Sequence, residues 1–122
     1  MYDKYPIIKK LRRQSAGSLS GGEQRVIEFA RTSLLEPSLV LLDEPSIGLS
    51  PKLTDEVYEH IIQFNYDGIT ILLVEQNVNK ALEVSHNGYV LDLGQNKYHG
   101  TARDLINMPE LVKVYLGAGF EE

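Results

Sequence analysis

The chain has 122 residues, of which 43% are hydrophobic, and its 12 basic and 17 acidic residues give a formal net charge of -5 at pH 7. This charge argues against non-specific nucleic-acid binding, and the lack of cysteine excludes disulfides, thiolate metal sites and cysteine nucleophiles. No apolar run reaches the roughly 18 residues of a membrane span, and residues 1–10 lack the apolar core of a signal peptide, so we expect a cytoplasmic domain or part of one.

The N-terminal segment is basic, with Lys9, Lys10, Arg12 and Arg13 within five residues. We interpret this cluster as the solvated face of a helix rather than a docking patch. The stretch SLSGGEQ at residues 18–24 then leads into an amphipathic helix that ends before Pro37. Six apolar residues recur there at helical spacing: Val26, Ile27, Phe29, Ala30, Leu34 and Leu35.

The middle of the chain predicts an α/β arrangement. The continuous apolar run from Leu39 to Leu42 is too short for a typical helix and predicts a parallel strand buried on both faces. Ser50 and Pro51 match the N-cap and first position of a second helix, whose apolar stripe is expected to contain Leu53, Val57, Ile61 and Phe64. After a turn at Asp67-Gly68, the run ITILLV predicts a second buried strand, which completes a right-handed βαβ unit.

The last third of the chain predicts short elements. NVNKALEV is typical of a short helix, and GYVLDL and KYHG flank GQN as an antiparallel hairpin. The segment TARDLINMPELVKVYL predicts two short helices around Pro109.

The stretch around Ser20 permits two interpretations. Ser20 and Glu23 have the spacing of a capping box, in which each side chain bonds the other residue's backbone N–H. Capping does not explain Gly21 and Gly22, because glycine in a first helical turn costs roughly 1 kcal/mol relative to alanine. A helix N-terminus without Cβ atoms is also suited to bind a phosphate.

A second motif lies at the carboxyl end of the first predicted strand, where Asp43 and Glu44 are adjacent. Open α/β sheets bind their ligands at this end. Since the two side chains point in different directions, one can face a hydrated Mg²⁺ while the other addresses a water molecule. The alternative is an ordinary strand-to-loop junction with exposed acids.

Together, LSGGEQ at residues 19–24 and LVLLDEPSIGLSP at 39–51 resemble the signature motif, the Walker B strand and the D-loop of ABC-transporter ATPases. The resemblance covers nearly the whole chain but only the second half of the family's nucleotide-binding domain. VEQN, GLSP and VYLG are most similar to the ATPases of branched-chain amino acid importers. The resemblance implies a partial P-loop NTPase domain with three parts: residues 1–36 as helical-subdomain and signature segment, 37–100 as Walker B sheet core and hairpin, and 101–122 as C-terminal helices.

The resemblance also implies roles for individual residues. Ser20, Gly21 and Gly22 match signature residues that contact the γ-phosphate of an ATP held by the opposite subunit, and Glu23 and Gln24 complete that motif. Two further positions match the Walker B aspartate that holds Mg²⁺ through water and the general base that polarises the attacking water, namely Asp43 and Glu44.

Two positions depart from the family's pattern. The D-loop falls on residues 47–50, where the usual final aspartate is Ser50 and its charge is missing. Gln76 stands where most members have the switch histidine, and glutamine can donate a hydrogen bond to a phosphate but cannot carry a positive charge. The histidines lie elsewhere and are expected to be surface or partly buried residues: His60, His86 and His99.

The family's P-loop motif has no match in these 122 residues, because no glycine is followed by lysine. ATP and Mg²⁺ would therefore need a P-loop-bearing partner segment, and we do not expect the chain to be an autonomous ATPase. The resemblance implies a second ATPase subunit in a head-to-tail dimer, transmembrane permease subunits and a peripheral position on the cytoplasmic face of the membrane. We also expect the isolated chain to self-associate and not to bind nucleic acid.

The most consistent function is the C-terminal part of an ATP-hydrolysing subunit that energises import of amino acids or similar polar solutes. One alternative is the C-terminal lobe of a DNA-repair or chromosome-maintenance ATPase, although no heptad repeat precedes residue 18. A second alternative is a non-catalytic interaction module that pairs with another ATPase subunit.

Overall fold

The computed structural model describes residues 2–3 and 5–115, which form six helices, four strands and a 3-10 turn at Ala16–Ser18. The helices are α1 (Pro6–Leu11), α2 (Gly21–Leu34), α3 (Pro51–Tyr66), α4 (Val78–Val84), α5 (Ala102–Ile106) and α6 (Pro109–Tyr115). The strands are β1 (Leu39–Asp43), β2 (Thr70–Val74), β3 (Asn87–Asp92) and β4 (Gln95–Thr101). The chain divides into two compact units, Met1–Leu73 and Val74–Glu122. The predicted α/β class is confirmed.

The first unit is organised around the packing of α2 on α3. The rings of Phe29 and Phe64 meet edge to face with centroids 5.3 Å apart, and Phe64 is completely buried. Each helix buries one apolar stripe, as the spacing of its apolar residues predicts. The buried residues of the two stripes are Val26, Phe29, Ala30, Val57, Tyr58, Ile61 and Phe64. Leu34 and Leu35 were predicted on the apolar stripe of α2, but both are exposed, because they lie at the point where the helix ends.

The strands β1 and β2 pair side by side in a parallel two-stranded sheet, and the amide of Thr70 donates to the carbonyl of Ser38 at 2.9 Å. The prediction that both strands are buried on both faces is wrong. Val40 is buried, but its neighbours Leu39 and Leu41 are 51% and 67% exposed, and Leu72 of β2 is 57% exposed. Exposure therefore alternates along the strands, because the described residues cover one face of this sheet and leave the other open.

The second unit contains the predicted antiparallel hairpin of β3 and β4, in which Asn87 pairs with Thr101 and Asp92 with Gln95. The predicted turn at Gly-Gln-Asn is wrong. The turn is the pair Leu93-Gly94, and both residues have positive φ, 47° and 74°. Two consecutive residues with φ above zero match the twist of an antiparallel pair, which lets β4 begin at once.

The core of the second unit lies where α4, α5 and α6 meet the hairpin. Its buried residues are Leu82, Ala102, Leu105 and Leu111. Gly88 of β3 permits this packing, since a Cβ there would lie 2.7 Å from Cδ1 of Leu105. The two helices predicted around Pro109 are confirmed as α5 and α6. Within the described residues, no helix has the length and apolar character that crossing a membrane requires.

Candidate functional site

The amino end of α2 is closed by the capping box that the sequence predicts. The Ser20 hydroxyl accepts a hydrogen bond from the Glu23 amide at 3.3 Å. The Glu23 carboxylate accepts from the Ser20 amide at 2.8 Å and from the Ser20 hydroxyl at 2.9 Å. The hydroxyl proton of Ser20 is thus directed to Glu23, so the capping interpretation accounts for both side chains.

These hydrogen bonds hold the pKa of Glu23 below its ordinary value, chiefly through the Ser20 amide and secondarily through the Ser20 hydroxyl. A carboxyl group whose pKa is lowered on folding stabilises the folded state above its usual titration range. That stabilisation is lost as the pH falls through the lowered pKa. Ionised Glu23 therefore stabilises the amino end of α2.

We expect Glu23→Ala to accelerate hydrogen exchange at the Ser20 amide at neutral pH, because that amide loses its acceptor. In acid, where Glu23 of the unmodified chain is protonated, the ratio of the two exchange rates should approach one. Amide exchange followed by NMR across this pH range measures that ratio. Glu28→Ala is the matched control, since Glu28 pairs with Arg25 at 2.8 Å on the same helix. A ratio that does not change with pH would contradict the role of the carboxylate.

Gln24 ties the loop ahead of α2 to the helix. Its side-chain amide donates to the carbonyl of Leu19 at 3.2 Å and to that of Ala16 at 3.4 Å. Leu19 is buried, and the loop also contains the 3-10 turn. These contacts make Gln24 a residue that positions the start of the helix, which the sequence alone did not indicate.

The backbone N–H groups of Gly21 and Gly22 have no hydrogen-bond partner within the described part of the chain. The next two amides of the helix are satisfied, Glu23 by the Ser20 hydroxyl and Gln24 by the Ser20 carbonyl at 2.9 Å. A Cβ on Gly21 would meet nothing within 4 Å, so the space beside it is open. Two unpaired N–H donors at the positive end of a helix can bind an anion by donating hydrogen bonds to it.

Asp43 ends β1 and is exposed, whereas Glu44 is half-buried and begins the following loop. Glu44 has a φ of 46°, which non-glycine residues rarely adopt, and it precedes Pro45. Backbone strain of this kind occurs most often at functional sites. Glu36 has the same φ of 46° and also precedes a proline, but it lies outside the candidate motifs. The left-handed backbone therefore marks Glu44 and Glu36 alike, and only the adjacent Asp43 at the end of β1 distinguishes Glu44.

The loop from Glu44 to Ser50 consists of two successive turns. The Ile47 amide donates to the Glu44 carbonyl at 3.1 Å, and the Leu49 amide donates to the Ser46 carbonyl at 3.2 Å. Ser50 then caps α3 as predicted, because its hydroxyl accepts from the Leu53 amide at 3.4 Å. An aspartate could make the same cap, so serine at this position keeps the cap and omits the charge.

Gln76 lies in the second unit, exposed, two residues after the end of β2 and one residue before Asn77, which caps α4. The three histidines are surface or partly buried residues, as predicted. His60 is half-buried, and its ring lies 5.3 Å from that of Tyr5, while His99 is exposed and stacks on Tyr89 at 6.1 Å.

The structure brings the residues of each motif together but holds the motifs on separate elements. Ser20 to Gln24 cluster at the amino end of α2, whereas Asp43 ends β1 and Glu44 begins the loop after it. Among the described residues no group of three or more histidines, cysteines or carboxylates could hold a metal ion. Asp43 could supply one oxygen to Mg²⁺, which usually takes one or two protein carboxylates together with water and substrate phosphates. The donors present therefore fit part of an ATP and Mg²⁺ site.

Comparison with known proteins places these motifs in a family. The family model described as ABC transporter matches residues 3–47, which include the capped end of α2 and the Asp43-Glu44 pair. The chain is 41% identical over 113 residues to the high-affinity branched-chain amino acid transport ATP-binding protein BraG of Pseudomonas aeruginosa, covering 93% of this chain and 48% of that protein. It is 37% identical over 116 residues to a probable branched-chain amino acid transport ATP-binding protein, LivF, of Archaeoglobus fulgidus, covering 94% and 49%.

Solved structures that superpose on this chain are also cassettes of ABC transporters. The ATP-binding cassette MJ1267 of an ABC transporter superposes with a TM-score of 0.77 at 27% identity, covering 93% of this chain and 47% of that chain. A dimeric structure of the bacterial ABC transporter cassette MJ0796 superposes with a TM-score of 0.62 at 26% identity, covering 73% and 38%. The chain spans about half the length of the curated relatives it matches.

Proposed function

Since this chain is a partial ATP-binding cassette of the ABC transporter family, related to branched-chain amino acid importer ATPases, we propose that it energises the import of amino acids or similar polar solutes. The observation that carries the ATP-hydrolysing part of this proposal is the Asp43-Glu44 pair at the carboxyl end of β1, and the branched-chain amino acid transport relatives support the class of imported solute. In this proposal the chain provides part of an ATP site, and a P-loop-bearing segment provides the rest.

Within that site we assign two separate tasks to the chain. The exposed Gly21 amide donates to the phosphate of a nucleotide held by a second ATPase subunit, Gly22 lies buried beside it, and Ser20 fixes the turn that presents Gly21. Asp43 and Glu44 serve the nucleotide that a P-loop segment holds. The open space beside Gly21 supports this assignment, because a phosphate needs close access to the backbone.

The proposed chemistry is hydrolysis of the terminal phosphate of ATP by water. When bound, Mg²⁺ would neutralise negative charge on the phosphates, with Asp43 as one candidate ligand. The Glu44 carboxylate accepts a hydrogen bond from the attacking water and orients it toward the phosphorus. Gln76 can donate a hydrogen bond to a phosphate oxygen through its side-chain amide.

The proposed partners follow from the relatives. MJ0796 forms a dimer, which supports a second ATPase subunit as the partner of the capped end of α2. The relatives are transport ATP-binding proteins, which supports transmembrane permease subunits as further partners. The chain would then act as a peripheral subunit on the cytoplasmic face of the membrane.

The test compares the chain alone with the chain reconstituted with a P-loop-bearing segment, for example the half of BraG that this chain does not match. We expect no ATP hydrolysis above background from the purified chain, because its sequence has no lysine to hold the phosphates in a P-loop. Co-expression should produce phosphate release that depends on both segments. Association without any phosphate release would instead favour a non-catalytic interaction module.

A further inference from the structure

Gly21 and Gly22 are neighbours in the first turn of α2, but their surroundings differ sharply. A Cβ on Gly22 would lie 2.5 Å and 2.8 Å from the two Cδ atoms of Leu53 and 3.1 Å from its Cγ. A Cβ on Gly21 would meet nothing within 4 Å. Gly22 is buried and Gly21 is exposed. The packing of the protein therefore disfavours a side chain at the second position and leaves the first position free.

Rotation of its methyl groups does not fully remove the Leu53 side chain from this space. Rotation about the Cβ–Cγ bond leaves Cγ in place, and Cγ is itself only 3.1 Å from the added Cβ. Relief requires either a different orientation of the whole side chain or a shift of α3. Val57 and Ile61 lie on the same stripe of α3 as Leu53 and are buried in the core of the first unit. A shift of α3 would therefore disturb that core.

Each residue of this contact, Gly22 and Leu53, lies next to a helix cap. The Leu53 amide donates to the Ser50 hydroxyl, so Leu53 is tied to the end of the loop that follows Glu44. On the other side, Gly22 lies between Ser20 and Glu23, the two residues of the capping box. The contact thus joins two loops that are 30 residues apart in sequence.

We propose that the close approach of Gly22 to Leu53 sets the position of the amino end of α2 relative to the amino end of α3, so that Gly22 is a positioning residue for both loops. The inference rests on the proposed function only where it concerns ATP. In that setting, the turn that presents the Gly21 amide and the loop between Glu44 and Ser50 move as one body. A change in either loop is transmitted to the other through Leu53.

The test is a double-mutant cycle on the full chain. Gly22→Ala should lower Tm by roughly 5–15 °C, because overpacking strains the contact. In the Leu53→Ala background the same substitution should leave Tm unchanged or raise it, since the clash is removed and alanine favours a helix. Gly21→Ala is the matched control and should not lower Tm, because its Cβ enters open space.

A second measurement does not depend on cooperative unfolding. Gly22→Ala should shift the NMR signals of the Leu53 and Thr54 amides, whereas Gly21→Ala should leave those signals in place. Equal loss of stability from Gly22→Ala with and without Leu53, together with unshifted α3 amides, would overturn the proposal.

The reconstituted cassette provides the functional readout. Gly22→Ala should lower kcat, and Leu53→Ala should restore it at least in part, which a general loss of stability in two unrelated places would not produce. If reconstitution gives no ATP hydrolysis while the thermal cycle shows coupling, the proposed function fails and the positioning role stands. If hydrolysis is normal and the cycle is additive, the positioning role fails and the function stands.

Discussion

Glu44→Gln is expected to abolish ATP hydrolysis by the reconstituted cassette, with kcat lowered by about 10²–10⁴-fold. Glutamine has nearly the same shape as glutamate, so the loop and its turns should persist. Its amide can no longer accept a proton from the attacking water or orient that water through a negative charge. Steady-state phosphate release at saturating ATP measures the effect, and KM should change far less than kcat because Glu44 acts on water rather than on the nucleotide.

Glu36→Gln is the matched control for this experiment. Glu36 has the same φ of 46° and also precedes a proline, but it lies in the exposed connection between α2 and β1. We expect its kcat to stay within about twofold of the unmodified cassette, as for surface substitutions away from a site. Equal losses from both substitutions would mean that the effect is not specific to the Glu44 carboxylate. Unchanged activity in Glu44→Gln would reject the general-base assignment.

Much of the fold was predictable from interactions between residues that are close in sequence. The capping box of Ser20 and Glu23 and the cap at Ser50 before Pro51 depend on residues three positions apart or adjacent, and both are confirmed. The periodicity of α2 and α3 predicted the stripe that packs in the first unit. The break at Pro109 likewise separates α5 from α6. In each case the residues that decide the structure lie within a few positions of it.

The incorrect predictions concern features of the fold that depend on residues distant in sequence. An all-apolar strand suits burial on two faces, but whether β1 is covered depends on elements that its own sequence does not contain. The hairpin turn at Leu93-Gly94 was also missed, because leucine rarely adopts positive φ. Pairing of β3 with β4, including an irregularity between Val90 and Leu91, determines that turn.

The candidate site likewise combines features that neighbouring residues predict with contacts that depend on residues distant in sequence. The sequence indicated that Gly22 needs an explanation beyond capping, but the partner that explains it, Leu53, lies 31 residues away and looks like any core residue of an amphipathic helix. Gln24 was assigned to nucleotide contact through its motif, whereas its amide bonds the carbonyls of the preceding loop. The assignments of the individual residues to ATP therefore stay proposals that the experiments above address.

The uncovered face of the β1–β2 sheet has a consequence for the isolated chain. Leu39, Leu41 and Leu72 are all more than half exposed, and alternation along paired strands places them on one face. Contiguous apolar surface of this kind marks association in soluble proteins. A symmetric dimer is the closed form that covers the same patch on both copies. We therefore expect the purified chain to self-associate through this face.

Leu41→Glu is expected to weaken that association strongly, because Leu41 is 67% exposed in the single chain and would be buried in the expected dimer. A buried leucine contributes about 1.5–3 kcal/mol, and a symmetric interface counts it twice, so the dimer Kd should rise by roughly 10²–10⁴-fold. Leu93→Glu is the matched control, since Leu93 is 91% exposed but lies in the turn between β3 and β4. Light scattering at micromolar concentration, combined with binding of an apolar dye, measures both variants. A folded monomer that binds no dye, or equal effects of the two substitutions, would show that this face does not drive association.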